Sequence, residues 1–421
     1  MAEAQAAPRA AGAVGSVALR ILAVAYACEP DRGSEPGAGW SWARILARVG
    51  ETWVITRANN RAAIDAALPE LPERDRLHFV YVDLPPSARR WKRGRRGIHL
   101  YYLLWQLAAL RAGRRLQREL GFDLVWHLTL ANIWFGSVAP LVGPPTVYGP
   151  VGGGARVPWR LLPTLGVRGV GTEAVRTSVE LIGRYANPLA RLAWRRSRLI
   201  LVQNRETLAW LPRRHRARAE ILQNVVLDLP PAPRRPRPAG PPTAVYAGEL
   251  VPLKGVALAL RALAQLPEWR LLVAGSGADE ARLRRLAGRL GLDGRVSFVG
   301  WLPRDRLLRL LRDDADVFVF PSLRDQAPWA VAEARALGLP VVCVDVGGPP
   351  LLGGRAVAPA GPDRTTRALA EALRAAAAEQ PPPPPPFDLA SRHRRAVELL
   401  GRGGLLATAT RRQEPARGPT T

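Results

Sequence analysis

The sequence predicts an α/β protein built of two Rossmann-like domains. Two observations carry this. Short apolar runs rich in Val, Leu and Ile alternate with stretches of helical apolar spacing, the pattern of buried parallel strands joined by crossover helices. The series occurs twice. Between the copies, Leu229 to Pro242 (LPPAPRRPRPAGPP) can form neither a helix nor a central strand and reads as a stiff linker.

The elements follow in order. Residues 1–18 are Ala- and Gly-rich, with an apolar stretch too interrupted for a signal peptide, and are expected to be a disordered tail. The first domain, 19–228, opens with a strand at Arg20 to Ala27, a Gly-rich loop, and helical spacing from Trp40 to Val49. Thr52 to Thr56, Phe79 to Val82, Leu124 to His127 and Thr146 to Tyr148 are further short strands. Ile98 to Leu110 is strongly apolar, but falls short of the roughly 20 residues that cross a bilayer. After the linker, 229–242, the second domain runs over 243–380. Its strands are Ala244 to Ala247, Trp269 to Ala274, Val296 to Val299, Val317 to Phe320 and Val341 to Val344, separated by helices. The six prolines Pro381 to Pro386 close it. An Arg-rich helix within 387–402 is expected to pack back on the first domain, with 403–421 as a second disordered tail.

At 421 residues and 48% hydrophobic, each half can bury a core, which excludes a disordered protein. The net charge of +26 would ordinarily point to nucleic acid or an anionic membrane. Only Lys92 and Lys254 among the 61 basic residues are lysines, so much of this charge reflects an Arg-biased composition. There is no RNA-module motif, and no specific nucleic acid is expected. Cys28 and Cys343 each end a predicted strand in opposite halves and read as buried thiols.

The chemistry collects after the strands. Asp325 and Glu333 lie eight residues apart, the first in the loop after the Val317 to Phe320 strand, the second on the next helix. This is a βαβ unit, whose ligand crevice lies at the carboxyl ends of its strands. Lys254 follows the first strand of the second domain. Gly33 to Gly39 links a strand to a helix, where glycines permit close backbone approach to phosphates. No acidic pair follows a strand where a metal would bridge a diphosphate, and no metal is expected.

From Arg20 to Gly354 the chain resembles the retaining GT-B glycosyltransferases of glycosyltransferase family 4. The likeness rests on YAGELVPLKG, LLVAGSGADEARL, VSFVGWLP, DVFVFPSLRDQAPWAVAEA and LPVVCVDVGGPP, in the family's order and spacing. In the first domain ACEPDRGSEPGAGWSWA, DLVWHLTLANIW and YGPVGGG resemble a bacterial branch that makes exopolysaccharide or envelope glycans. The resemblance implies two domains facing a central cleft. It implies transfer of a sugar, with retention, from a UDP- or GDP-linked donor to a glycan or lipid-linked acceptor, in the cytoplasm and without a cofactor. It assigns catalysis to Lys254 on the diphosphate, Asp325 on the sugar, and His127 facing the sugar. Glu333 would hold the ribose hydroxyls. Gly37, Ala38, Gly39, Gly248, Glu249, Gly275, Trp301, Gln326, Ala327 and Trp329 would complete the donor site.

Four positions depart from the family pattern. Glu249 stands where an arginine is usual, Asp325 where a glutamate is, and Ala327 with Pro328 where glycine is preferred. They motivate two alternatives, a catalytically degenerate binding or assembly protein of the same fold, and a sugar-nucleotide epimerase or hydrolase. Residues 88–120 mix arginine clusters with Trp91, Tyr101, Tyr102 and Trp105. They suit either a peripheral contact with an anionic membrane at the inner face of the plasma membrane or a core helix with Arg-rich flanks.

Overall fold

The computed structural model describes residues 19–85, 87, 97–130, 132–227, 229, 240–380 and 383–406. The expected tails at 1–18 and beyond 406, most of the linker, Trp91, and Pro381 with Pro382 lie outside the described residues.

Two parallel sheets form the molecule. The first holds β1 (Leu19–Val24), β2 (Gly50–Thr56), β3 (Leu77–Tyr81), β4 (Leu124–His127), β5 (Thr146–Val151), β6 (Ser197–Val202) and β7 (Ala219–Ile221), in the order β3-β2-β1-β4-β5-β6-β7. The second holds β8 (Thr243–Ala247), β9 (Arg270–Ala274), β10 (Val296–Gly300), β11 (Val317–Phe320), β12 (Val341–Val344) and β13 (Arg355–Val357), in the order β10-β9-β8-β11-β12-β13. Strand order reverses between β1 and β4 and between β8 and β11, and such switch points place a ligand crevice outside the carboxyl ends of the strands.

Alternate strand residues serve opposite layers. Ile21, Ala23, Leu124, Trp126, Val147, Leu199 and Leu201 pack toward the helix Ser34–Val49, whereas Leu22, Val24 and Val125 pack toward the helix Ile98–Leu120. That second helix turns Tyr101, Tyr102 and Trp105 into the core. The aromatic centre of 88–120 is therefore core packing in its described part, and does not face outward. Among the described residues no helix is long and apolar enough to cross a membrane.

The helix Leu389–Arg402 belongs to the first domain in space. Leu389, Ala396, Leu399 and Leu400 join the cluster around Ile45 and Leu46, and Asp388 caps the helix by accepting from the Ser391 amide at 2.8 Å. The chain thus crosses between domains twice. The crossings lie side by side, with the Leu227 amide donating to the Phe387 carbonyl at 2.9 Å and Arg392 Nε to the Val225 carbonyl at 3.0 Å.

The first helix starts at Ser34, earlier than its periodicity suggested, because glycines carry its first turns against the loop that follows β1. A Cβ on Gly37 would lie 1.8 Å from the Arg32 carbonyl oxygen, and one on Gly39 would lie 2.0 Å from that of Ala27. Strands β6, β7 and β13 were not anticipated. The LILV of β6 follows the helix Pro188–Arg196 with no Gly or Pro between, so the two periodicities merge. Cys28 and Cys343 are buried and free, and burial pushes both thiols up.

Candidate functional site

The carboxyl ends of the two sheets face each other across a cleft of about 400 Å³, lined by Ser34 and Glu35 at the start of the first helix, Arg176, Arg324, Asp325 and Trp329 among others. A second cavity of about 500 Å³ lies over β8, β9 and β10, lined by Gly248, Glu249, Gly275, Ser276, Trp301 and Ala330. Asp325, Gln326, Ala327 and Trp329 thus line the first hollow and Gly248, Glu249, Gly275 and Trp301 the second, while Lys254 and Glu333 line neither.

Lys254 ends a short 3-10 turn, Pro252–Lys254, that Gly255 closes at φ +67°. A Cβ on Gly255 would meet the Pro321 carbonyl oxygen at 2.0 Å, so only glycine lets this turn press against the loop after β11. The two loops are tied by the Leu323 amide, which donates to the Leu253 carbonyl at 2.9 Å. This brings Lys254 Nζ within 2.5 Å of Asp325 Oδ2, which also accepts from Ser322 Oγ at 2.9 Å. The ammonium sits 5.4 Å from the centre of the Phe320 ring. A fixed cation and a carboxylate thus meet where β8 and β11 adjoin, at the switch point.

Glu333 is on the second turn of the helix Trp329–Ala336 and is 6% exposed. Arg304 Nε donates to its Oε1 at 2.7 Å. Burial raises its carboxyl above the ordinary range, against the pull of that guanidinium. Arg304 had no place in the sequence reading.

Gln326 reaches across the cleft, its Oε1 accepting from the Gly153 amide at 3.0 Å and from Asn204 Nδ2 at 2.8 Å. Beside it Arg324 pairs with Glu173, and the Gly347 amide donates to Glu206 Oε1 at 2.8 Å. These three links join the domains directly. Ala327 and Trp329 line the cleft, and Trp329 also touches the first helix, 3.4 Å from where a Cβ on Gly37 would be. Gly37, Ala38 and Gly39 themselves are buried inside that helix, so Ser34 and Glu35 present its start to the cleft.

Deeper in the first domain, Glu180 is 1% exposed, with Arg176 at 2.6 Å and Arg156 at 3.5 Å. Burial outweighs the pull of Arg156, with the charge of Glu173 acting in the same direction as burial, and the carboxyl is pushed up to about 7.

His127 stands apart from the cleft. It is 1% exposed, its Nε2 is paired with the Tyr102 hydroxyl at 3.2 Å and its Nδ1 with Ser137 Oγ at 3.0 Å. Burial lowers it to about 3, so it is neutral. The expectation that this ring faces a sugar is corrected: both nitrogens are taken up within the first domain. Glu249 lines the second cavity, and its carboxylate has no ion-pair partner among the described residues. Among the described residues no group of three or more His, Cys, Asp or Glu is placed to hold a metal ion.

Comparison with known proteins gives this geometry a context. Residues 232–381 match the family model of glycosyl transferases group 1. The D-inositol 3-phosphate glycosyltransferase of Mycolicibacterium smegmatis is 40% identical over 111 residues, 25% of this chain and 25% of that protein. That of Mycobacterium leprae is 39% identical over 111 residues, 25% of this chain and 26% of that protein. The match thus spans about a quarter of the length of these curated relatives. Two solved structures resemble nearly the whole chain. One is HepE of Anabaena, in complex with UDP and glucose, at TM-score 0.54 and 17% identity, over 91% of this chain and 100% of that one. The other is sucrose-phosphate synthase of Thermosynechococcus elongatus, at TM-score 0.57 and 17% identity, over 91% and 98%. The fold is that of the GT-B glycosyltransferases, two Rossmann-like α/β domains across a cleft.

Proposed function

We propose that this protein is a retaining, metal-independent glycosyltransferase of the cytoplasm, moving a sugar from a UDP- or GDP-linked donor to a glycan or lipid-linked acceptor. The observation that carries this reading is the Lys254–Asp325 pair, held at 2.5 Å at the switch point of the domain that matches the glycosyltransferase model. The nucleoside is assigned to the cavity of Gly248, Gly275 and Trp301, and the sugar and acceptor to the cleft beside Asp325.

Breaking the sugar–phosphate bond leaves a diphosphate of growing negative charge. An ammonium aimed at that charge stabilises the transition state more than the ground state. Lys254 is assigned this role. Before donor arrives its charge is balanced by Asp325, which on binding is free to accept from sugar hydroxyls. Glu333, whose Oε1 accepts from Arg304, keeps Oε2 to accept from a ribose hydroxyl. The departing phosphate takes the acceptor proton, so no side-chain base is required, and the closed cleft limits hydrolysis.

Thermal stabilisation by UDP, GDP and their sugars tests the reading. A nucleoside diphosphate is expected to raise the Tm, and Lys254→Ala to abolish both that shift and transfer while the fold is kept. A chain that ignores every nucleotide sugar would overturn it. Glu249, which has no ion-pair partner among the described residues, favours one second reading, a binding protein of the same fold without catalysis. Such a protein would bind nucleotide yet leave every donor intact.

A further inference from the structure

The helix Gly166–Tyr185 is amphipathic in the reverse sense. Its two acids, Glu173 and Glu180, are buried, while Val167, Val175, Ile182 and Tyr185 are 92, 68, 63 and 63% exposed. At 100° per residue, Val167, Val170, Val175, Val179, Ile182 and Tyr185 fall within one half of the helix circumference, a half whose first turn also holds Arg168. A surface helix ordinarily turns such a stripe inward. Here the inner side is already committed to charge, because Arg176 lines the cleft and Glu173 receives Arg324 from the second domain. The outer stripe is thus an apolar face left without a partner among the described residues.

We propose that this stripe seats the protein on an anionic lipid surface. Three features select that occupant. Amphipathic aromatic side chains stand at both ends, Trp159 just ahead of the helix at 73% exposed and Tyr185 as its last residue. Each carries an arginine, Arg160 Cζ lying 5.1 Å from the Trp159 ring and Arg184 Cζ 5.6 Å from that of Tyr185. Exposed Arg191, Arg195 and Arg196 follow directly in the chain, and the whole protein carries +26. Apolar stripe and basic rim together match an interfacial helix on anionic headgroups. A second copy pairing through the same stripe would instead set two arginine rims against each other. Seated this way, the helix separates headgroups from the Arg176 wall of the cleft by its own diameter, about 10 Å. The inference goes beyond the transfer reaction and does not depend on it.

Co-sedimentation of the full chain with vesicles of phosphatidylglycerol, and separately of phosphatidylcholine, tests it. The wild type is expected to bind the anionic vesicles and not the zwitterionic ones. The double variant Val175→Asp, Ile182→Asp changes two exposed positions, and should bind at least tenfold less with unchanged Tm and unchanged response to UDP. Equal binding by wild type and variant would overturn the proposal. So would dimers in analytical ultracentrifugation that the variant dissolves, since a second copy would then cover the stripe. Loss of binding on Leu104→Asp, in the other helix with exposed leucines, while the double variant binds normally, would show the surface to be misassigned.

Discussion

At single residues, charge decides most of what this site can do. Glu249, with no ion-pair partner among the described residues, lines the cavity assigned to the nucleotide. Glu249→Arg should therefore tighten UDP or GDP binding by calorimetry, by about 2 kcal/mol or roughly thirtyfold, the worth of one charge-assisted hydrogen bond. Unchanged affinity would mean the side chain does not face the phosphates. Two buried groups titrate against each other. Glu180 is raised from 4.5 to about 7, so it keeps a proton the unfolded chain has lost, and its contribution to stability is full below about 4.5 and disappears as pH rises through 7. His127 is lowered from 6.5 to about 3, so its contribution is full above about 6.5 and is lost as pH falls toward 3. Between pH 4.5 and 6.5 the two slopes oppose. Glu180→Gln should expose the histidine, making stability fall more steeply on acidification, by up to about 1.4 kcal/mol per pH unit. Denaturant curves at several pH values that run parallel to wild type would refute this. Lys254 and Asp325 were legible because strand ends and motif spacing locate them. Arg304, Glu173 and Glu180 were not, because an arginine or glutamate on a helix reads as solvated until its neighbours are known.

For whole elements, buried strands were the most legible feature, since an apolar run bounded by turn residues has few other readings. β13, three residues long, and β7, which is half-buried, lacked that contrast. The terminal helix was visible by its spacing, and its packing shows what it does. Leu399 is fully buried among residues of the first helix, so Leu399→Ala should cost about 2–5 kcal/mol by chemical denaturation. A cost below 1 kcal/mol would mean that the helix is loosely attached. The helix Gly166–Tyr185 illustrates where periodicity misleads: its pattern names an apolar side, and only the placement of Glu173 and Glu180 shows that this side faces out.

At the scale of the molecule, the domains are joined across the cleft by Gln326, Arg324 and Gly347, by Leu161 and Leu165, which pack into the second domain's core, and by two adjacent crossings. Removing two clasps with Arg324→Ala and Gln326→Ala should open the cleft about those crossings, giving a larger radius of gyration in small-angle scattering. No change would place the main restraint elsewhere. The double crossing has a further consequence, for biosynthesis. The first domain is completed by a helix encoded after the second, so Ile45 and Leu46 lack their cover until residues 389–402 emerge. At about 5–20 residues per second, the ribosome needs on the order of ten to thirty seconds to supply them. During that interval the nascent first domain presents an apolar face that a chaperone must shield or a premature stop would leave permanently bare.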